Sequence, residues 1–403
     1  MSTRAGQFPW PLAWLLAALA LLSREPAILV VLGVVVVSGA LSEATARVAH
    51  EGLRVRVALS ASHVVAGEEL DCVVEVENGK PIPLTWCDVH VPLPEGVELA
   101  DAGPGRARAR LAASFGLHGN ERVRLRFRLL AARRGAYAIG AGRVRTGDWL
   151  GFFSEERDAG NLRVLVAYPK PLLALMRDVP ALRPLAERAT RRGLQPDPTR
   201  FAGVRDHLPG DARKDIHWKA TARLGRLQTR VFEPATSGDI VFLVNVASHP
   251  SYWIQADPES VETIVSAAST LVRQAADEGR RFALFTNGID ALTRERPHAV
   301  LGRGPARVRR GLEILARLSP YAAGTPEHLF LREQSRLALG ATLVCVTPAL
   351  TRELAQALVR LHRRRHRVLV VSAHPPASAV AAYAAAHRIA LQSLYEARGR
   401  AAG

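Results

Sequence analysis

The hydrophobic pattern changes period along the chain. It opens with two unbroken apolar runs, FPWPLAWLLAALALL (8–22) and AILVVLGVVVVSGAL (27–41), separated by Ser23-Arg24-Glu25-Pro26. A spanning helix wants about 20 apolar residues, with a range of roughly 17–25. Each run is slightly short, a deficit that flanking residues and mild bilayer thinning can cover. The polar connector ending in proline reads as a tight turn between helices. Residues 1–45 are therefore expected to form a transmembrane helical hairpin, with helices at about 8–22 and 27–42. Positive charge sets its orientation. Arg4 precedes the first run and Arg47, Arg54 and Arg56 follow the second, whereas the turn carries Arg24 beside Glu25. The positive-inside rule puts both ends, and everything after them, in the cytoplasm.

From residue 53 the period becomes two. LRVRVAL (53–59) alternates strictly, LDCVVEVEN (70–78) leads into an Asn-Gly-Lys-Pro turn, and TWCDVHVPLP (85–94) follows. RVRLRFRLL (122–130) places Val123, Leu125, Phe127 and Leu129 on one face and arginines on the other. Short strands at this spacing, with Gly, Pro and Asn turns, predict an Ig-like β-sandwich over 53–170. The arginine face is expected to be solvated.

From about residue 239 strands and helices alternate. IVFLVNV (240–246) is continuously apolar, as in a strand buried on both faces. Asp257-Pro258 gives an N-cap with proline at the first helical position, and Gly279 closes the helix behind an apolar stripe. Strands at 281–286, 341–347 and 367–373 alternate with helices at 305–318 and 351–364, then an alanine-rich helix and a short strand near RIAL. This predicts a doubly wound α/β domain over 239–403, with ligands, if any, at the carboxyl ends of the strands. Neither G-x-G-x-x-G, nor G-x-x-x-x-G-K-[ST], nor H-E-x-x-H, nor G-x-S-x-G occurs, so no nucleotide cofactor and no catalytic set is expected.

Composition adds one fact. Net charge is +17, nearly all of it arginine, with lysine only at 80, 170, 214 and 219. That suits an anionic partner such as a membrane surface, although arginine-rich usage can also follow codon bias. Cys72, Cys87 and Cys345 form no C-x-x-C pair and so no zinc signature. Cys72 and Cys87 could bridge two strands if the domain were exported.

The connecting region, 171–238, holds the densest stretch of the chain, HLPGDARKDIHWKATARLGRLQTRVFE (207–233). Leu208-Pro209-Gly210-Asp211 is turn chemistry, and Asp211 is expected to cap a helix over about 212–221. His217 with Asp211 or Asp215 would be an acid/base pair, but no serine or cysteine nucleophile stands nearby. The interleaved acids Asp206, Asp211, Asp215 and Glu233 favour internal ion pairs over phosphate binding. The stretch is expected to be a joint between the sandwich and the α/β domain, with Asp211 and Arg223 paired and Trp218 packed as a wedge.

These residues resemble the signature of the bacterial domain-of-unknown-function family fifty-eight. Arg205, Pro209, Gly210, Asp211, Ile216, Trp218, Ala222 and Arg223 fit its pattern, and the basic residue after Gly-Asp falls on Arg213 or Lys214. RRGAYAIGAGRVRTGDWLGFF (133–153) resembles a second passage of that family, with Asp148, Gly151 and Phe153 kept and tryptophan in place of proline. The resemblance implies a carboxyl-terminal domain like von Willebrand factor A, and association with MoxR-type AAA+ ATPases and transglutaminase-like membrane proteins. It also implies an adaptor or assembly role, not an enzyme. The A-domain metal site needs D-x-S-x-S, and here Asn245, Ala247 and His249 stand at those positions, so no metal is expected. The expected protein is a bacterial inner-membrane adaptor in contact with membrane lipid. A nucleic-acid binder using 303–310 (RGPARVRR) and 362–367 (HRRRHR) is the less favoured alternative.

Overall fold

The computed structural model describes residues 3–5, 10–23, 26–102, 110–172, 196–209, 211–234, 239–249, 251, 253–254, 257–337, 340–364 and 366–394. Met1–Tyr168 and Pro169–Gly403 form two compact units.

The first unit begins with a short strand, β1 (Thr3–Ala5), then α1 (Trp10–Ser23) and α2 (Pro26–Val48). Residues 8, 9, 24 and 25, part of the expected hairpin, lie outside the described residues. By length and composition one described helix, α2, can cross a membrane; it is 23 residues long and an 18-residue stretch of it has a mean hydropathy of 2.3. At 14 residues α1 is shorter than a span. Helix α2 outruns the expected end near residue 42, because its last turns change character. Glu43 pairs with Arg47 at 2.6 Å, one turn apart. Gly39 and Ser42 on the helix, and Ala49 and His50 in the turn just after it, are buried, so this end of α2 docks on the strands that follow.

Those strands are β2 (Leu53–Leu59), β3 (His63–Val65), β4 (Glu69–Asn78), β5 (Leu84–Pro92), β6 (Val97–Leu99) and β7 (Arg110–Leu117). After them come β8 (Arg122–Ala131), β9 (Gly135–Ile139), β10 (Gly142–Gly147), β11 (Ser154–Ala159) and β12 (Arg163–Tyr168). They pair as β1-β11-β10-β5-β7, β2-β4-β8-β6 and β3-β12-β9. One core, including Val57, Val74, Val89, Leu111, Leu129, Ile139 and Leu165, joins all three sheets, so the unit is a β-sandwich. The arginine face of β8 carries more than solvent. Its register sets Arg122 against Glu77 and Arg124 against Glu75 on β4, and Arg122 Nε reaches Glu75 at 2.9 Å. Cys72 and Cys87 are free and buried in β4 and β5, not bridged; burial pushes their thiols up to about 11 and about 12.

The second unit contains a two-stranded ribbon and an open sheet. The ribbon pairs β13 (Pro196–Asp206) with β14 (Gln228–Pro234) around α3 (Trp218–Leu224). The sheet strands are β15 (Ile240–Val244), β16 (Phe282–Thr286), β18 (His298–Gly302), β20 (Thr342–Thr347), β21 (Arg367–Ser372) and β22 (Ala390–Ser393), in the order β18-β16-β15-β20-β21-β22. All neighbours are parallel except β16 and β18. A separate two-stranded antiparallel pair is formed by β17 (Gly288–Asp290) and β19 (Leu318–Ala322).

Alternate residues of β15 face opposite layers. Ile240, Phe242 and Val244 pack with Ile264 and Leu271 of α4 (Pro258–Asp277) and Ile314 of α5 (Pro305–Arg317). Val241 and Leu243 pack with Phe330 of α6 (Pro326–Glu333), Leu354 and Leu358 of α7 (Arg352–Arg363) and Ala384 of α8 (Ser378–Ala386). The sheet is therefore doubly wound. Its order reverses between β15 and β20, which is where such sheets place their ligand crevice.

Candidate functional site

The signature residues lie in the ribbon and hold one another. Arg205, on β13, donates from both terminal nitrogens to the two carboxylate oxygens of Asp211, each at 2.7 Å. This planar fork fits a carboxylate in a way a lysine cannot. The Leu208 amide at 3.0 Å and the Thr229 hydroxyl at 3.1 Å complete the shell of Asp211. The Arg205 guanidinium, followed by these donors, holds the Asp211 carboxyl far below the usual carboxylate range. His207 meets the same Thr229 hydroxyl at 2.9 Å. Asp206 accepts from Gln228 at 2.6 Å and pairs with Arg226 at 3.1 Å.

Three expectations are corrected here. Asp211 pairs with Arg205, not Arg223, which is exposed. Asp211 caps no helix: its oxygens are taken, and a 3-10 turn at Arg213–Asp215 precedes α3, whose N-cap is His217, accepting the Ala220 amide at Nδ1. Trp218 is no wedge, since 66% of it is exposed. Ile216 is the buried member, bridging to Thr229. Pro209, Arg213 and Ala222 are exposed, and Gly210 lies outside the described residues.

The Asp211 shell makes the ribbon acid-sensitive. A carboxyl lowered by folding contributes stability above its unfolded value, near 3.8, that is lost as pH falls towards the folded one. Amide-exchange protection along β13 and β14 is expected to hold from neutral pH down to about pH 5 and to decline below about pH 4. Asp211→Ala is expected to lose that protection already at neutral pH. Unchanged protection in the variant would show that the shell does not hold the ribbon.

The second candidate is the carboxyl rim of the sheet. Asn245 follows β15, is buried, and spends its amide internally. Its Oδ1 accepts from the Ala247 amide at 2.9 Å and from Asn287 Nδ2 at 2.8 Å. Its Nδ2 donates to Thr347 Oγ1 at 2.9 Å and to the Ala247 carbonyl at 3.2 Å. Thr347 passes its own proton to the Ala349 carbonyl at 2.7 Å. A divalent cation of the kind A-domains hold needs carboxylate and hydroxyl oxygens left open to it. Asn245 and Ala247 supply no carboxylate, and the exposed His249 does not replace one. Among the described residues no group of three or more His, Cys, Asp or Glu side chains could hold a metal. The residues present do not fit the ion.

Beside this network Asp257 caps α4, accepting the Ser260 amide at 2.9 Å and its hydroxyl at 2.5 Å. These two bonds hold the Asp257 carboxyl below its ordinary value. His374, after β21, meets the same hydroxyl at 2.9 Å. Serine, histidine and aspartate thus come together in the wrong order for acyl transfer. The serine stands between the other two, is buried, and gives its proton to the carboxylate instead of to the imidazole. The strand ends were legible as a rim in the sequence. The Ser260–His374 and Asn245–Asn287 contacts were not, because their partners are far apart in the chain.

Two further features open on the rim. The loop after β15 exposes Trp253 (70%) and Ile254 (49%). A cleft of about 320 Å³ lies at the starts of α6 and α7, lined in part by Thr325, Glu327, His328, Thr351, Glu353 and Arg360. The basic run at 362–367 does not form one patch, since His366 is buried and Arg367 enters β21.

Residues 203–380 match the family model described as "Protein of unknown function DUF58". This is a DUF58 domain. It takes in the Arg205–Asp211 shell, most of the open sheet and the rim contacts. The uncharacterized protein YeaD of Bacillus subtilis (strain 168) is 24% identical over 230 residues, which are 55% of this chain and 53% of that protein. The chain thus spans about half the length of this curated relative. Among solved structures, a CARDB domain from Pyrococcus furiosus aligns with 28% of this chain and 91% of its own at 14% identity and a TM-score of 0.18. A cohesin from Archaeoglobus fulgidus aligns with 28% of this chain and 90% of its own at 11% identity and a TM-score of 0.22. Values this low carry no inference about ligands or partners.

Proposed function

We propose that the protein is a non-enzymatic, membrane-anchored adaptor whose DUF58 domain docks a partner protein on the carboxyl rim of its sheet. The observation that carries this reading is the pair Trp253 and Ile254, exposed on the loop at the switch point. A tryptophan held out of the core beside a polar rim is the composition of an interface centre. The saturated hydrogen bonds of Asn245 and Ser260 support a rigid support for such a surface over a reaction centre.

By the family resemblance, the partner is a MoxR-type AAA+ ATPase, with a transglutaminase-like membrane protein as a second associate. The von Willebrand factor A comparison belongs to the same reading. It is supported by the antiparallel edge strand and the order β18-β16-β15-β20-β21-β22, but rests on fold analogy. The anchor would be a hairpin of α1 and α2 with the soluble units in the cytoplasm. Two tethers support a hairpin. Before α1, Ala5 pairs with Ser154 on β11; near the end of α2, Ser42 bonds Asp148, six residues before Ser154.

The test is co-purification of the full chain with the candidate ATPase from membranes, with and without nucleotide. Capture is expected, and Trp253→Ala is expected to weaken it by about 30-fold, the effect of losing an interface anchor worth about 2 kcal/mol. No association in either nucleotide state would count decisively against the ATPase as partner. Capture unaffected by Trp253→Ala would move the surface elsewhere.

A further inference from the structure

The loop between β10 and β11 joins three observations. First, its shape is fixed. Asp148 is fully buried, and its carboxylate accepts the Leu150 amide at 3.1 Å and the Phe153 amide at 2.6 Å. Gly151 turns the chain at φ +80°, where a side chain is strained. A Cβ on Gly147 would come within 2.0 Å of the Phe153 carbonyl oxygen. Second, the fixed loop presents apolar side chains to solvent: Trp149 is 56% exposed, Leu150 49% and Phe152 37%. A loop clamped this firmly could have turned such residues inward, so their exposure asks for a cover.

Third, the clamp also holds the apolar helix. The Ser42 hydroxyl donates to the carboxylate oxygen that accepts the Leu150 amide. Two hydrogen bonds to one oxygen put the Ser42 hydroxyl and the Leu150 amide within about 6 Å of each other. Ser42 follows directly on the apolar run that ends at Leu41, one helical rise of about 1.5 Å away. On its other side the loop runs into Ser154, which pairs with the strand that precedes α1. The loop therefore lies between the points where the chain enters and leaves its apolar helices.

We propose that Trp149, Leu150 and Phe152 form a second membrane contact, an aromatic loop seated in the interfacial layer of the lipid bilayer where α2 leaves it. The proposal rests on α2 spanning that bilayer. Tryptophan is the side chain that prefers this layer, with an apolar ring and one polar N–H. The Asp148 clamp sets the depth, because it ties the loop to one turn of the helix. The sandwich is then held by two points, and cannot swing freely about α2.

The full chain in phosphatidylcholine–phosphatidylglycerol vesicles tests this. A polarity-sensitive fluorophore is attached at Leu150→Cys, and separately at Trp149→Cys, Val36→Cys and Glu95→Cys. The native thiols are buried and do not compete. Lipids brominated near the headgroup are expected to quench the labels at 149 and 150, with blue-shifted emission. Deeply brominated lipids are expected to quench the label at 36, and neither should quench the one at 95. Quenching at 36 without quenching at 149 or 150 would overturn the loop contact and leave the span standing. No quenching at any site would overturn the span, and the loop contact with it.

Discussion

Asp148→Ala is expected to destabilise the sandwich unit by about 2–4 kcal/mol, since one buried and two part-buried donors lose their acceptor at once. Those donors are the Ser42 hydroxyl and the amides of Leu150 and Phe153. Burial alone would raise this carboxyl, but the Ser42 hydroxyl and the loop amides outweigh it and hold the group below its ordinary value. Its contribution is therefore present above the unfolded value, near 3.8, and is lost as pH falls below it. Asp148→Asn, which keeps an acceptor oxygen, is expected to cost less. The measurement is denaturant unfolding of the full chain in detergent, following the sandwich transition. A loss under about 1 kcal/mol, the range of an ordinary surface change, would show that the loop and α2 are held by something else. The same variant should loosen α2 at Ser42, while Lys80 Nζ, which bonds the Val48 and Ala49 carbonyls, and His50, which donates to the Glu155 carbonyl at 2.8 Å, still hold the chain just beyond it.

Asn245→Ala is expected to destabilise the α/β unit by about 2–4 kcal/mol, because it strands buried groups on three segments. Asn287 Nδ2 would keep only its 3.2 Å bond to the Gly324 carbonyl, and the Ala247 amide would lose its acceptor. Asn245→Asp is expected to cost a similar amount despite its size. It brings a carboxylate against the Ala247 carbonyl and removes the donor to Thr347. Chelator is expected to leave the unfolding of the wild-type unit unchanged, as the network closes without an ion. A wild-type transition that moved with added magnesium and returned with chelator would show that an ion fits this rim after all.

Much of the second unit was legible because its signals are local. Asp257-Pro258 marked the start of α4, Thr351 that of α7, and the continuous apolar runs marked β15, β20 and β21. Helix α6 escaped notice although Thr325-Pro326-Glu327 carries a cap and proline signal, because at eight residues it shows little periodicity. Strand β18 escaped because five residues at an antiparallel edge lack the unbroken apolar run of a buried strand. The site was harder to read. Its composition was evident, but pairing was not. Asp211 had Arg213, Arg223, Arg226 and Arg230 near in sequence, and the ladder that sets Arg205 opposite Thr229 decided for Arg205. Once its oxygens were taken, the cap of α3 passed to His217.

The sequence alone determined the order of the parts, because a long apolar run, a period of two and strand–helix alternation each admit one kind of backbone. It also placed a dense, mixed-charge signature ahead of the α/β region, and matched it to the right family. Only the tertiary structure decided which groups meet. It decided that Ser42 and Leu150 share one oxygen of Asp148, that Asn245 turns inward to Asn287 and Thr347, and that Trp218, Trp253 and Trp149 face out instead of in. The physical reason is range. Periodicity and capping act over a few residues and are written locally. A buried carboxylate or amide is satisfied by whichever donors the fold brings within about 3 Å, at any separation along the chain.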